Sequence, residues 1–159
     1  MTQYYQLICK NGHQESFWHS LGNQSSVFCE KCGEITIDKC LHCNYPINGY
    51  YYPDGVITLG PDTFPIPSYC KDCGKPYPWT EKILNNAIEL ISLDDDLDSR
   101  TREIIKNAIP DLLVNTPTTP LAVAKYKINI NKASQIVKDG MRNLLVDVLS
   151  ETAKKSLFG

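Results

Sequence analysis

The sequence predicts an α+β protein in two parts, a small β-rich metal-binding domain over residues 1–79 and a helical domain over residues 80–159. Three observations carry this reading. All seven cysteines fall between Cys9 and Cys73, thirteen of the fifteen aromatic residues precede Thr80, and after Thr80 apolar residues recur at helical spacing. At 159 residues, 21% charged and 42% hydrophobic, the chain has the composition of one ordinary soluble domain or two small ones. No apolar run approaches the roughly 18 residues that a membrane span requires.

The cysteines come in pairs at metal-ligand spacing. They are Cys9 with His13 in Cys9-Lys10-Asn11-Gly12-His13, then Cys29 with Cys32, Cys40 with Cys43, and Cys70 with Cys73. A two-residue gap lets two sulfurs converge on one cation while the intervening N–H groups point at the thiolates, and a structural zinc takes four such ligands. Eight ligands therefore make two zinc sites with none left over. The first pair has a longer gap and ends in the imidazole of His13. Gly12, Gly33 and Gly74 stand where a tight turn requires positive φ.

Other uses of cysteine fit less well. A disulfide framework calls for an even count and a secretory leader, whereas the count is seven and no apolar leader segment lies near Met1. Redox chemistry by a Cys-x-x-Cys pair expects a strand-to-helix context that is missing around these pairs. Reduced, metal-bound cysteines place the chain in the cytoplasm.

Gly33-Glu34-Ile35-Thr36-Ile37-Asp38-Lys39 alternates apolar and polar and reads as a strand. At about 3.3 Å per residue it holds the second and third pairs ~20–25 Å apart, on different ions. Two pairings satisfy this. In the sequential one, Cys9, His13, Cys29 and Cys32 share an ion and Cys40, Cys43, Cys70 and Cys73 share the other; in a cross-brace, alternate pairs combine. The sequential scheme closes shorter loops at lower entropy.

In chain order, Tyr4–Cys9 reads as a strand leading into the first knuckle, and Gln14–Val27 as a loop with a turn at Leu21-Gly22-Asn23. Pro53-Asp54-Gly55 is a turn signal between Asn48–Tyr52 and Val56–Leu59, which predicts a β-hairpin. Gly60-Pro61-Asp62 and Pro65-Ile66-Pro67 then force an irregular return to Cys70. Pro76 to Pro78 close the region.

The remainder predicts a bundle of three to four helices. Thr80 serves as N-cap, with Ile83, Leu84, Ala87, Ile88 and Ile91 at helical spacing. The acidic run Asp94-Asp95-Asp96-Leu97-Asp98 lacks the Gly at position six and the closing Glu of a calcium loop. It suits a solvated helix start, where carboxylates meet the positive end of the dipole. Ile104, Ile105, Ala108 and Ile109 follow, with Pro110 bending or interrupting the helix. Thr119 caps a third helix with Pro120 as its first residue. From Lys132 to Lys155, the positions Ile136, Val137, Gly140, Met141, Leu144, Leu145, Val148, Leu149, Thr152 and Ala153 form one unbroken stripe. Gly140 within it costs about 1 kcal/mol against Ala unless a neighbour packs close there.

Charge separates the two parts. Ionising seven thiols adds seven negative charges and two divalent ions add four positive ones, so the formal −2 becomes −5. Up to Trp79 there are five lysines against seven acidic residues, an awkward surface for phosphates. After Leu112, Lys125, Lys127, Lys132, Lys138, Arg142, Lys154 and Lys155 leave about +4, which reads as solvated helix faces or as a surface for an anionic partner. The aromatic residues Tyr50, Tyr51, Tyr52, Phe64, Tyr69, Tyr77 and Trp79 offer a stacking platform for bases or a peptide. Large rings beside knuckles must first fill a core too small to close otherwise.

Hydrolytic zinc keeps an open position with three protein ligands, and four ligands per ion leave none. Of the remaining histidines, His19 comes with no recognisable nucleophile or phosphate loop, and His42 lies inside a knuckle as a surface residue or a substitute ligand. The residues thus predict no enzyme. They predict a non-catalytic zinc-binding protein that acts as a protein-interaction or scaffold module, with an unidentified protein partner and a homo-oligomer through the C-terminal helices. The alternative is a nucleic-acid-associated regulator using the basic helices or the aromatic hairpin; no membrane is implied.

The runs Phe28-Cys29-Glu30-Lys31-Cys32-Gly33 and Pro67-Ser68-Tyr69-Cys70-Lys71-Asp72-Cys73-Gly74-Lys75-Pro76-Tyr77-Pro78-Trp79-Thr80-Glu81, with Cys40-Leu41-His42-Cys43 between them, are specific. Together with Asn115-Thr116-Pro117-Thr118-Thr119-Pro120-Leu121-Ala122 and Ser150-Glu151-Thr152-Ala153-Lys154-Lys155, they make the chain resemble an uncharacterised bacterial zinc-ribbon family, a domain of unknown function. That resemblance implies a zinc-ribbon-like N-terminal domain and brings no activity, substrate or catalytic residue with it.

Overall fold

The computed structural model describes residues 2–22, 27–55, 57 and 59–158. The chain forms two compact units, Met1–Lys82 and Ile83–Gly159. The first carries an antiparallel sheet and all the cysteines, and the second is helical, so the protein is of the α+β class.

The sheet is built on β1 (Thr2–Cys9), which is paired along both edges. One edge takes β2 (Gln14–His19); the other takes β4 (Asn48–Tyr52) near the start of β1 and β3 (Thr36–Ile37) near its end. Tyr5 accordingly faces both His19 and Asn48, and Ile8 faces both Gln14 and Ile37. Pairing on both sides buries Gln6 to Cys9 and fixes Cys9 at the end of the central strand. Buried Gln6 is satisfied: its amide donates to Asn48 O and Pro65 O, each at 3.1 Å, and its oxygen accepts from Gln14 Nε2 at 2.6 Å.

Three sequence expectations change here. Gln14–Val27 is not a loop throughout, because Gln14–His19 is β2; Gln-Glu-Ser-Phe-Trp-His has no apolar alternation, and pairing with β1 imposes the strand. Leu21 and Gly22 lie in a turn, while Asn23 falls outside the described residues. The strand expected over 33–39 shrinks to Thr36–Ile37, flanked by the bridges Phe28↔Ile35 and Lys39↔Pro46 that close the neighbouring knuckles. Asn48–Tyr52 is a strand, but its partner is β1; of the expected return arm, Val56 and Thr58 lie outside the described residues, and Ile57 and Leu59 are 99% and 101% exposed.

Ile8, Ile47, Tyr77 and Trp79 pack around buried Cys40 and Cys70 to form the small core of this unit. The Tyr77 and Trp79 rings stack with centroids 4.8 Å apart, and Trp79 Nε1 donates to Pro67 O at 2.9 Å. A second aromatic group runs over the sheet, with Trp18 4.4 Å from Tyr50 and Phe17 5.6 Å from Phe64.

The helices are α1 (Pro78–Ser92), α2 (Ser99–Leu112), α3 (Thr119–Ile130), α4 (Gln135–Leu145) and α5 (Glu151–Leu157). The boundary between the units falls inside α1, between Lys82 and Ile83. That helix starts two residues before Thr80, because Pro78, with φ preset and no N–H to satisfy, takes a first-turn position and Glu81 N bonds Tyr77 O at 3.0 Å. Pro110 does not interrupt α2, which runs two residues beyond it to Leu112. In α3 the cap is Thr118 rather than Thr119; buried Thr119 instead accepts from Thr116 N at 2.9 Å and donates to Val114 O at 2.7 Å, closing the preceding loop.

The stripe from Lys132 to Lys155 is divided between α4 and α5, which gives five helices where the periodicity predicts three or four. Ser150 makes the break. Its hydroxyl accepts from Ala153 N at 3.3 Å, capping α5, and its own N–H donates to Leu112 O at 3.0 Å on a different helix. Gly140 is explained by Leu90, whose Cδ2 would lie 2.8 Å from an added Cβ. The acidic run is not wholly solvated either. Asp98 caps α2 through Thr101 N at 2.7 Å, but Asp94 is buried and takes hydrogen bonds from Asp96 N, Ser134 N and Ser134 Oγ at 2.9, 2.8 and 3.2 Å. Burial pushes the Asp94 pKa up, yet the Ser134 and Asp96 donors outweigh it and hold the carboxyl below its ordinary range.

Candidate metal centres

Three of the four ligand pairs share one backbone form. In each, the N–H of the first cysteine bonds the carbonyl five residues on: Cys29 to Glu34, Cys40 to Tyr45 and Cys70 to Lys75, at 2.8–2.9 Å. The N–H four residues on bonds back to that cysteine's carbonyl, from Gly33, Asn44 and Gly74, at 2.7–2.9 Å. Closing the turn this way puts that residue in the left-handed region, with φ of 74°, 64° and 74°. Glycine supplies it twice and asparagine once, the residue next best suited to it. The Cys9 turn is tighter, with Gly12 N on Cys9 O at 2.9 Å and Cys9 N on His13 O at 3.0 Å. Gly12 has φ 92°, and an added Cβ would lie 3.0 Å from Trp79 Cβ.

These turns bring the predicted ligands together in two groups, Cys9, His13, Cys29 and Cys32, and Cys40, Cys43, Cys70 and Cys73. Within each, the ligand atoms all lie within 4.8 Å of one another. The grouping is sequential, and cross-bracing is absent from it. In the first, Cys9 Sγ is 3.7 Å from Cys32 Sγ, and His13 Nδ1 is 3.5 Å from Cys9 Sγ and 3.6 Å from Cys29 Sγ. In the second, Cys40 to Cys73 is 3.7 Å and Cys43 to Cys70 is 3.6 Å.

Those separations test the fit of an ion. Tetrahedral bonds of about 2.3 Å to sulfur and 2.0–2.1 Å to nitrogen make edges of roughly 3.8 Å between sulfurs and 3.6 Å from sulfur to nitrogen. A disulfide would bring two sulfurs to about 2.05 Å. All seven cysteines are free, and these five separations match the edges of a coordination tetrahedron rather than a disulfide.

The surroundings favour thiolate. His13 N and His42 N donate to Cys9 and Cys40 sulfurs at 3.3 and 3.4 Å, and Asn11 Nδ2 donates to Cys32 Sγ at 3.3 Å. Asn11 is itself oriented by Lys82, whose Nζ donates to its Oδ1 at 2.6 Å. A lysine can only donate, so it fixes the amide with its nitrogen toward sulfur. The Asn11 bond and the Glu34 N–H bring the Cys32 thiol down to about 6, while burial pushes its neighbour Cys29 up to about 11. The second group divides similarly. For Cys70, burial is outweighed by the Cys73 and Asp72 N–H groups, giving about 6; for Cys43, the Tyr45 N–H is outweighed by burial and the adjacent sulfurs, giving about 12. Without a cation, four crowded sulfurs share protons; a bound cation displaces them.

His19 and His42 stand outside both groups. His42 is exposed, and His19 is buried with Nε2 3.1 Å from Asp38 Oδ2. Neither the Asn11–Lys82 support nor the His19–Asp38 pair is legible from spacing, since each joins segments far apart in sequence.

Among the described residues no helix is long and apolar enough to cross a membrane. The chain belongs to the bacterial family described as an uncharacterized protein conserved in bacteria (DUF2321), whose model matches residues 2–157, the family resemblance that the knuckle motifs carry. No curated protein and no solved structure matches the chain.

Proposed function

We propose that this member of the family is a non-catalytic, cytosolic zinc protein in which two zinc ions hold the N-terminal unit in shape for binding another protein. The observation that carries the reading is the closure of both ligand sets. Cys9, His13, Cys29 and Cys32 would hold one ion, and Cys40, Cys43, Cys70 and Cys73 the other. With four side chains at tetrahedral edge lengths, neither ion keeps a position for water or substrate, as hydrolytic zinc requires. Sulfur-rich tetrahedra favour zinc over the oxygen-seeking divalent ions. When bound, the metal supplies cross-linking of distant segments; the chain supplies N–H donors that stabilise the thiolates.

Exposed apolar side chains on this unit support an interaction role. Phe28, Leu41, Ile57 and Leu59 are all exposed, beside or between the knuckles, and leave apolar surface that a partner could cover. The excess of acidic residues in this unit argues against a phosphate-binding surface there.

X-ray absorption at the zinc edge of the purified protein tests the proposal. The expected shell averages seven sulfurs and one nitrogen over two ions, with no light-atom ligand from water. An oxygen ligand on either ion would point instead to an open, catalytic site. Retention on DNA or RNA at low salt that fades as salt rises would replace the protein-binding reading with a nucleic-acid one.

A further inference from the structure

The helical unit leaves an apolar groove open between α1 and α4. Two adjoining hollows of about 410 and 330 Å³ share Leu90 and Leu93 as a common wall. Their floor and sides are Leu90, Leu93, Ile136, Val137, Gly140 and Leu144. The two large side chains at the lip are nearly bare: Leu93 is 69% exposed and Ile136 79%. Exposing two such residues across one groove, with the core of the same unit closed beneath them, leaves apolar surface that association would remove from water.

The rim says what kind of surface fits. Every charged residue lining the hollows is acidic: Glu89, Asp95 and Asp96, with Asp94 beneath them already taken by Ser134. Arg102 offsets Asp95 only at 3.9 Å, since its guanidinium is bonded to Asp94 O at 2.6 and 3.1 Å. The occupant should therefore be a ridge of apolar side chains flanked by lysine or arginine and free of carboxylates.

The chain carries such a ridge itself. Helix α3 contains no acidic residue, and along its outer side Leu121, Lys125 and Ile128 recur at i, i+4 and i+7. Leu121 is 55% exposed and Ile128 67%, and Lys125 stands between them on the surface, while Lys127 points to another side and donates to Ser156 O at 3.5 Å. We propose that the α1/α4 groove receives the α3 ridge of a second copy of this chain, with Ile136 and Leu93 gripping Leu121 and Ile128 while the acidic rim of Glu89, Asp95 and Asp96 meets Lys125. Groove and ridge both lie in the helical unit, so a twofold pair makes the contact twice, which helps a shallow patch approach the roughly 1,200 Å² of a stable interface. The inference goes beyond the zinc reading and does not rest on it.

Sedimentation of the zinc-loaded chain tests this, with metal content and helical circular dichroism checked on every sample. The wild type is expected to dimerise with concentration, more weakly as salt rises. Ile136→Glu in the groove and Ile128→Glu on the ridge each replace a surface residue, so folding is retained, and each should weaken the dimer on the order of 30-fold or more. Mixed together, the two variants should pair better than either alone, because the groove of one and the ridge of the other are intact. A monomer at every concentration overturns the proposal, leaving the groove to a basic helix of another protein. So does a dimer that both substitutions leave untouched, or a mixture no tighter than its components.

Discussion

The N-terminal unit gathers four apolar side chains, Ile8, Ile47, Tyr77 and Trp79, around two cysteines, whereas the helical unit buries seventeen residues in one continuous cluster among the described residues. At about 1.5–3 kcal/mol per buried side chain, the four give about 6–12 kcal/mol, less than the roughly 10–16 kcal/mol that a single structural zinc contributes. The helical unit has one continuous hydrophobic core; the N-terminal unit is a sheet and four turns whose distant segments meet at the two Cys/His groups that could hold metal. In the first half, positive φ at Gly12, Gly33, Asn44 and Gly74 serves the turns that place the candidate ligands. In the second half the corresponding choices serve packing.

Both tryptophans, Trp18 and Trp79, lie in the N-terminal unit, so tryptophan fluorescence reports on it while circular dichroism at 222 nm reports mainly on the helices. The largest difference should come from Cys70→Ser. Removing a buried ligand from the second group should drop zinc content from two ions to one and shift tryptophan emission to the red, with helical ellipticity retained. A variant that still binds two ions with unchanged emission would show that the second group does not hold this unit in shape.

The converse perturbation is Met141→Ala. Met141 is fully buried at the centre of the helical cluster, and its truncation should cost about 3 kcal/mol in urea unfolding followed at 222 nm, with zinc content unchanged.

Acid should separate the units. Asp94 is held below its unfolded value of about 3.9, so the stability it contributes is fully present above pH ~4 and is lost only as pH falls through the lower folded value. Asp98 behaves alike, its carboxylate held down by the Thr101 N–H. Protons compete for thiolates at higher pH, so tryptophan emission should change before ellipticity does on acidification. Asp94→Ala should cost about 2 kcal/mol and raise the pH at which the helices melt.

The smallest effect belongs to the metal-ligand surroundings. Asn11→Ala removes the side-chain donor to Cys32 and should speed zinc transfer to a competing chelator several-fold from the first group only, with the second unaltered.

The same contrast governs what the sequence discloses. Ligand spacing is local, so the eight residues that gather into two groups, and their sequential grouping, follow from pair counting and loop length. The third knuckle turn was equally open to reading, since Asn44 follows Cys43 as Gly33 follows Cys32 and Gly74 follows Cys73. Strand β2 is hidden because Gln14–His19 has no alternation and is made a strand by β1 on its flank. The break between α4 and α5 is hidden because Ser150 sits inside a stripe that stays in phase, and its bond to Leu112 O is tertiary. Nothing local distinguishes Asp94 from Asp95 and Asp96, and Ser134, which draws Asp94 inward, lies forty residues away.

On the proposed reading, two zinc ions hold the N-terminal unit together while the helices stand without them. Native mass spectrometry of the purified chain, paired with tryptophan emission and ellipticity before and after a strong chelator, tests it most directly. The expected result is two zinc ions per chain and, once they are stripped, red-shifted emission with helical ellipticity intact. A chain isolated without metal, or one whose emission is unmoved when its metal is removed, would contradict it.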